Sequence, residues 1–191
     1  MVSLVYGDMI RVYKELYYNS ALCISTNGFI KSNNEGVMGR GIAKQYKDCC
    51  STAQKTLGEN LIKYNNNMSI LNFEPSTKTI VLSFPVKPAF IDKYNKSLLV
   101  NHMQNKIKYG PMPGWACKAD LNIIEKSLKQ LITIIPILSN LYNINDYHLP
   151  KLGCGAGELN WDVDVYPLIK QYLEPRPEKF YFWDFKNKDK V

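Results

Sequence analysis

Two glycine-rich segments constrain the fold of this chain more than any other feature. The first, residues 36–41, follows an apolar run at 21–25 and precedes apolar positions spaced as in a helix. The second, residues 153–157, follows Tyr147-His148-Leu149 and precedes a helix-spaced apolar set at 165–173. A strand, a glycine loop and a helix in this order are typical of α/β domains in which loop and helix N–H groups face an anion. Neither segment has P-loop or dinucleotide-loop spacing, so the sequence predicts a different phosphate-binding geometry.

The remaining periodicities complete an alternation of strands and helices. Apolar runs predict six strands, at 4–6, 21–25, 68–73, 79–84, 147–149 and 180–183. The runs at 4–6 and 21–25 lack polar alternation, which predicts strands covered on both faces. One helix is predicted over 42–57 and another from the N-cap residue Asp120, ended or kinked at Pro136. This alternation predicts a layered α/β domain with a largely parallel sheet.

The length of 191 residues favours one domain, spanning 1–191, because 46% hydrophobic and 21% charged residues are ordinary for a globular chain. Residues 88–115 depart from the rest. They show poor periodicity and are rich in proline and glycine, namely Pro88, Gly110, Pro111, Pro113 and Gly114. A structureless loop of this length is uncommon inside a compact domain. We therefore expect an excursion from the fold, with a short helix near 98–107.

Composition also bears on location and on metals. No stretch is apolar over the roughly 18 residues that a membrane span needs, and the first residues lack the pattern of a secretory signal. The five cysteines are odd in number and form no C-x-x-C pair, and two histidines add no zinc-ligand spacing. We expect a soluble, cytoplasmic protein with reduced thiols, no membrane contact, no metal site and no cofactor.

The net charge of +7 raises the question of nucleic-acid binding. Of the 24 basic residues, 21 are lysine, and only Arg11, Arg40 and Arg176 are arginine. Bidentate phosphate contacts and base readout favour arginine. A bias toward lysine, asparagine and tyrosine over the whole chain explains the charge equally well. The sequence is compatible with weak DNA contact through a basic surface and also with none.

Four motifs, in the order in which they occur, resemble the macrodomain family. They are Asn27, then Gly36-Val37-Met38-Gly39-Arg40-Gly41-Ile42-Ala43, then Phe84-Pro85-Val86-Lys87, then Leu149-Pro150-Lys151-Leu152-Gly153-Cys154-Gly155-Ala156-Gly157-Glu158-Leu159-Asn160-Trp161. The resemblance spans residues 4–183. It is strongest to the bacterial and phage DNA–ADP-ribose glycohydrolase antitoxins and the human terminal ADP-ribose glycohydrolase. It implies a three-layer α/β/α fold with a mixed, largely parallel central sheet and an ADP-ribose cleft at its carboxyl edge.

The resemblance also implies which residues bind ADP-ribose. Asp8, followed by Met9, and Trp183 match the adenine end, and Asn27 matches the residue that faces the distal ribose. The first loop matches the residues over the diphosphate and distal ribose, namely Gly36, Val37, Met38, Gly39, Arg40, Gly41 and Ile42. The second loop matches a further phosphate loop, namely Gly153, Cys154, Gly155, Ala156, Gly157 and the adjoining Glu158. From the residues alone, Asp8 is equally suited to capping a turn, and Trp183 to the core.

Lys87 matches the lysine that this branch uses in catalysis, and two roles are open to it. A neutral amine can attack the anomeric carbon of the ring-opened sugar and form a Schiff base. Free lysine has a pKa of about 10.4, so only ~0.1% is neutral near pH 7.4, but burial lowers a lysine pKa by up to ~3–5 units. A cationic Lys87 would instead hydrogen-bond the leaving group or the distal ribose.

The second loop departs from the human enzyme, which has an aspartate where this chain has Gly157. The bacterial DNA-directed members have glycine there, which favours them as the analogy. The absence of this aspartate leaves the adjacent Glu158 as a candidate acid or base.

Three functions are therefore compatible with the sequence. The leading one is a lysine-dependent hydrolase that cleaves ADP-ribosyl linkages at the anomeric carbon of the distal ribose. Its substrate would be modified DNA, modified protein or ADP-ribose 1″-phosphate. The second is a non-catalytic ADP-ribose reader, because a fold does not fix a function. The third is a basic nucleic-acid-binding domain.

Overall fold

A six-stranded sheet with helices on both faces forms the centre of the molecule, in a computed structural model that describes residues 1–16 and 18–185. Residues 17 and 186–191 of the predicted domain span lie outside the described residues. The strands are β1 (Val2–Tyr6), β2 (Ser20–Asn27), β3 (Ser69–Glu74), β4 (Thr79–Lys87), β5 (Phe90–Ile91), β6 (Met112–Pro113), β7 (Asp146–Pro150) and β8 (Lys179–Asp184). The helices are α1 (Met9–Leu16), α2 (Gly41–Cys49), α3 (Ala53–Tyr64), α4 (Leu121–Tyr142) and α5 (Tyr166–Tyr172).

The strand order of the main sheet is β1-β8-β7-β2-β4-β3. Each neighbouring pair is parallel except β3 and β4, which are antiparallel. The predicted mixed, largely parallel sheet is therefore confirmed. Because the strands from β1 to β4 in this order run the same way, their carboxyl ends meet at one edge of the sheet.

The two faces of the sheet carry separate cores. On β2, Ala21 and Cys23 belong to a core shared with α4 and α5, whereas Leu22 and Ile24 belong to a second core with α1, α2 and α3. Successive side chains of a strand point to opposite faces, so an uninterrupted apolar run is what a strand between two helical layers requires. The three-layer α/β/α arrangement follows directly.

Helix α4 confirms one prediction and corrects another. Asp120 caps it, because its Oδ1 accepts hydrogen bonds from the N–H groups of Asn122 at 2.8 Å and Ile123 at 3.4 Å. The prediction that Pro136 ends the helix is wrong, since the helix continues to Tyr142. Ile135 and Leu138 beside the proline are buried in the sheet core, and this packing holds the last turns together. No helix in the described ranges, α4 included, is both long and apolar enough to cross a membrane.

The single helix predicted over 42–57 is also wrong, because the structure has α2 and α3 there. The N–H of Cys50 bonds to the carbonyl of Tyr46 at the end of α2, and a turn leads into Ala53. The turn brings α3 against β3, where Asn60 Nδ2 donates to the carbonyl of Ile70 at 2.8 Å. The apolar spacing runs on through the turn, so periodicity alone hides the break.

Strand β1 lies at the edge of the sheet, so the prediction that it is covered on both faces is wrong. Leu4 is 42% exposed and Tyr6 is 36% exposed. Helix α1, which follows it, is not among the predicted helices. Its start has a recognisable cap, because Asp8 Oδ1 accepts hydrogen bonds from the N–H groups of Ile10 at 3.0 Å and Arg11 at 3.1 Å.

The segment predicted as an excursion, 88–115, folds as a small unit with its own core. Strands β5 and β6 pair antiparallel at its base. The helix predicted near 98–107 is replaced by short 3-10 turns at Lys96–Leu98 and Asn101–Met103. Apolar side chains from this segment and its end pack on one another, namely Leu99, Val100, Met103, Met112, Ala116 and Cys117. We call residues 88–115 the excursion and residues 101–106 its tip.

Candidate functional site

A cleft of about 1010 Å³ opens at the carboxyl edge of the sheet. Residues at or just past the ends of the parallel strands line it, namely Gly7, Asn27, Lys87, Pro150 and Asp184. Both glycine loops and the tip of the excursion complete the walls. Ligands of open α/β sheets bind at this edge, because loops diverge there and helix N-termini point toward it.

The first glycine loop is held in place by Asn27. Its Nδ2 donates to the carbonyl of Val37 at 2.9 Å, and its Oδ1 accepts from the N–H of Phe29 at 3.0 Å. The loop delivers the chain into α2, whose N-cap residue Arg40 makes no side-chain capping bond. The N–H groups of the first turn of α2, which have no acceptor within the helix, therefore lie at the wall of the cleft. There they and the helix dipole favour a bound anion.

The second glycine loop is a tight turn that needs two of its glycines. Gly153 has a φ of 68°, in the left-handed region that favours glycine. A Cβ on Gly157 would come within 2.4 Å of the Gly153 carbonyl oxygen. Glu158 follows in the left-handed region as well, at a φ of 60°. Gly155 and, in the first loop, Gly39 face open space, with nothing within 4 Å of a Cβ built on them. The backbone of both loops is thus bare on the cleft side.

Lys87 ends β4 beside Asn27, its partner in the register of β2 and β4, and is only 8% exposed. Its Nζ donates to the carbonyl of Ala156 in the second loop at 2.8 Å and to that of Trp115 at 3.4 Å. Burial lowers the pKa of Lys87 to about 8, and the positive charge of Arg40 adds to the decrease. Cys117 and Glu158 oppose it. The amine therefore titrates within reach of neutral pH.

The tip of the excursion bridges the two glycine loops above Lys87. The N–H of Asn101 donates to Oε1 of Glu158 in the second loop at 2.8 Å. The adjacent residue, His102, contacts Arg40 of the first loop through Nδ1 and Nη1 at 3.2 Å. Arginine has no acceptor, so Nδ1 accepts this bond and the neutral ring carries its proton on Nε2. Burial, followed by the charge of Arg40, lowers the pKa of His102.

The opposite end of the cleft is aromatic. Trp183 lies there, half-buried, and its Nε1 donates to Nδ1 of His148 at 3.1 Å. Burial lowers the pKa of His148 to about 4, so the ring stays a neutral acceptor. Lys151 forms an ion pair with Asp184 at 2.7 Å beside it. This end presents an indole with a fixed orientation and a paired charge.

Comparison with solved structures identifies the fold. The macrodomain of Thermus aquaticus DarG has a TM-score of 0.65 at 19% identity, covering 96% of this chain and 98% of that one. The macrodomain of Mycobacterium tuberculosis DarG has the same score and identity over 96% of this chain and 97% of that one. Thermosipho africanus DarTG in complex with ADP-ribose has a TM-score of 0.64 at 20% identity, over 97% of this chain and 42% of that one. This chain has the macrodomain fold. Neither a family model nor a curated protein matches its sequence.

Most residues that the sequence assigns to the site line the cleft of this macrodomain fold. They are Met9, Asn27, Val37, Gly39, Arg40, Gly41, Ile42, Lys87, Gly153, Cys154, Gly155, Ala156, Gly157 and Trp183. Four assigned residues lie outside the lining, namely Asp8, Gly36, Met38 and Glu158.

These four residues have contacts elsewhere. Asp8 caps α1, and Gly36 packs so closely on α3 that a Cβ would come within 2.5 Å of Leu57. Met38 is 1% exposed in the core. Glu158 binds the tip of the excursion.

Sequence reasoning missed two hydroxyl groups of the macrodomain cleft. Ser25 and Thr26 line it, and their buried hydroxyl oxygens have no hydrogen-bond partner among the described residues. A buried hydroxyl without a partner costs free energy, so these atoms point to a polar ligand group. A signal existed in the sequence, because two hydroxyl residues close an apolar run immediately before Asn27.

Proposed function

We propose that this protein binds ADP-ribose in the cleft and hydrolyses ADP-ribosyl linkages at the anomeric carbon of the distal ribose. The ADP-ribose complex of the Thermosipho africanus protein, which has the same fold, supports the choice of ligand. The local chemistry supports it too. Bare loop backbone and the start of α2 suit a diphosphate, the aromatic end suits a base, and Ser25 and Thr26 offer hydroxyl groups to a sugar or phosphate.

The observation that carries the enzymatic part of the proposal is the buried amine of Lys87. A pKa of about 8 leaves roughly a fifth of the amine neutral at pH 7.4, against ~0.1% for an ordinary lysine. The neutral amine forms a bond to the anomeric carbon of the ring-opened sugar, and the linked group departs with a proton. Water then splits the resulting imine, which releases ADP-ribose and restores the amine.

One observation favours the second candidate, a non-catalytic reader of ADP-ribose. The Lys87 amine already donates to the carbonyls of Ala156 and Trp115, so it also ties the second loop to the end of the excursion. A lysine with this structural role would hold the cleft open for binding without turning a substrate over. Only a substitution that keeps the hydrogen bonds separates the two roles.

The substrate class that we propose first is an ADP-ribosylated macromolecule, of which DNA is one. The excursion carries Lys93, Lys96, Lys106 and Lys108 against one acid, Asp92, and these lysines are exposed. Exposed lysines beside the Lys87 end of the cleft would attract a polyanion through its phosphates, without reading its sequence. ADP-ribose 1″-phosphate is the small-molecule alternative for the same site.

The test compares Lys87→Ala and Lys87→Arg with the unaltered protein. The substrates are an ADP-ribosylated oligonucleotide, an ADP-ribosylated protein and ADP-ribose 1″-phosphate, and released ADP-ribose is measured by chromatography. We expect both variants to lose at least 99.9% of turnover, because general base or nucleophilic chemistry needs a neutral amine and arginine stays charged. Affinity for free ADP-ribose should stay within tenfold in calorimetry, since loops and aromatic end supply most contacts.

Two results would contradict this proposal. Binding of ADP-ribose without turnover on any of the three substrates would establish the reader instead. Full turnover by Lys87→Arg would show that the lysine acts through its charge and hydrogen bonds alone. Lys63→Ala, a change at an exposed lysine of α3, serves as the control for removing one positive charge.

A further inference from the structure

The tip of the excursion touches the cleft through side chains that come from both glycine loops. Asn101 bonds to Glu158 of the second loop, and His102 contacts Arg40 of the first. His102, Met103 and Lys106 of the tip also line the cleft itself. The tip therefore lies at the Lys87 end of the cleft and joins the two loops there.

The base of the excursion is fixed much more firmly than the tip. At the base, the N–H of Gly114 donates to the carbonyl of Ala89 at 2.7 Å, and a Cβ on Gly114 would come within 1.7 Å of the Pro88 carbonyl. The apolar side chains of the excursion pack on one another as a core apart from the two sheet cores. The tip is joined to the loops by two hydrogen bonds of exposed groups, and Met103 is its one buried side chain. Segments of this kind open locally while the rest of the fold stays intact.

Glu158 provides a second, independent sign that the contact is specific. Its backbone is held at a φ of 60°, a left-handed conformation that is strained for a residue with a side chain. A glycine at this position would adopt this conformation at no cost. The carboxylate of this residue accepts the bond from the N–H of Asn101.

We infer that the tip is a lid over the Lys87 end, and that the bond from Asn101 to Glu158 is its latch, which sets how fast a ligand binds and leaves. This inference rests on the proposed function, because ADP-ribose is the ligand that passes the lid. Opening the latch accelerates binding and release together, so the affinity for ADP-ribose changes little. The contact between Arg40 and His102 also affects closure of the lid, because an anion in the cleft competes with His102 for the Arg40 guanidinium.

The test uses Asn101→Pro, because proline has no backbone N–H and so cannot form the latch. Asn101 begins a 3-10 turn, where proline is tolerated, and Val100 before it has a ψ of 147°, which suits the residue preceding proline. Asn101→Ala is the matched control, because it keeps the N–H. Glu158→Ala removes the latch from the other side, and Glu158→Gln keeps an acceptor oxygen. All three tryptophans, Trp115, Trp161 and Trp183, line the cleft, so stopped-flow tryptophan fluorescence follows the binding of ADP-ribose.

We expect Asn101→Pro and Glu158→Ala to raise the association and dissociation rate constants of ADP-ribose at least threefold each, with Kd within twofold. Asn101→Ala should stay within 1.5-fold of the unaltered protein, and Glu158→Ala should bind and release ADP-ribose at least threefold faster than Glu158→Gln, which has lost the same charge. Equal rates in Asn101→Pro and Asn101→Ala would overturn the lid.

Hydrogen exchange without ligand separates this outcome from failure of the proposed function. In a latched lid, the amides of residues 103–107 exchange faster in Asn101→Pro than in Asn101→Ala, while those of β2 and β4 do not change. If the unaltered protein binds no ADP-ribose, the proposed function fails, and the exchange rates alone decide the lid. Equal exchange in the two variants overturns it. If Asn101→Pro does not fold, Glu158→Ala against Glu158→Gln gives the same comparison.

Discussion

Each end of the cleft has a buried base, in its wall or just behind it, and burial is the main cause of the lowered pKa of both bases. At one end, Lys87 has a pKa of about 8 and lies on the cleft wall. At the other, His148 has a pKa of about 4 and lies behind Trp183, outside the cleft lining. Desolvation by burial brings the pKa of Lys87 close to physiological pH and takes the pKa of His148 far below it. Under the proposed function, the lysine end would carry the reactive chemistry and the histidine end would supply a fixed binding surface.

The largest expected effect that tests this contrast is the pH dependence of turnover. If the neutral amine of Lys87 is the reactive form, kcat/KM on an ADP-ribosylated oligonucleotide rises about tenfold per pH unit up to a pH of about 8. The gain between pH 6 and the plateau is then about a hundredfold, since kcat/KM reports the free protein. Glu158→Gln should move the midpoint to lower pH, because the Glu158 charge raises the lysine pKa.

A profile that falls as pH rises through 8 would reverse the assignment. It would mean that the cationic lysine is the active form and binds the leaving group or the distal ribose. A flat profile from pH 6 to 9 would remove Lys87 from the rate-determining chemistry.

The histidine end predicts a smaller effect, on stability. The pKa of His148 is about 4 when folded, below the ordinary 6.5, so the unfolded chain binds the extra proton between these two values. Stability from this group is complete above pH 6.5 and is lost as the pH falls toward 4. Between pH 7.5 and 5 the loss is about 2 kcal/mol in the free energy of unfolding, roughly 30-fold in the folding equilibrium.

The matched variant is His148→Asn, which replaces the Nδ1 acceptor for Trp183 with an amide oxygen that does not titrate. Denaturant unfolding at pH 7.5 and 5 measures both proteins. We expect the acid-dependent loss to be about 2 kcal/mol smaller in His148→Asn. An equal loss in the two proteins would place the acid sensitivity elsewhere and end the parallel between His148 and Lys87.

The sequence predicts the strands and the two glycine loops well, because apolar runs and glycine spacing are local signals. It fails where the decisive contact is distant in the chain. Pro136 does not end α4, because the sheet core on either side of it holds the helix. The apolar repeat over 42–57 cannot reveal a turn whose purpose is to bring α3 against β3.

The same limit applies to the site. Motif order makes Lys87 and the loops candidates for the site, but the lowered lysine pKa depends on burial that only the fold creates. The bridge from Asn101 to Glu158 joins residues 57 positions apart, and neither belongs to a motif that names the other. The hydroxyl groups of Ser25 and Thr26 become informative only once they are seen to be buried without a partner among the described residues.

The last prediction concerns Asp8, at the aromatic end, and has the smallest expected effect. Asp8 lies between two residues that line the cleft, Gly7 and Met9, but its Oδ1 caps α1. We propose that the charged carboxylate also binds the adenine amino group.

Asp8→Asn keeps an oxygen for the cap and loses the charge, whereas Asp8→Ala loses both. A hydrogen bond to a charged group contributes about 1.5–3 kcal/mol, so both variants should bind ADP-ribose at least tenfold more weakly in calorimetry. Only Asp8→Ala should also lose about 0.5–2 kcal/mol of stability, through the missing cap. If Asp8→Asn binds ADP-ribose like the unaltered protein, the carboxylate serves the helix alone and the aromatic end holds adenine by Trp183 and its neighbours.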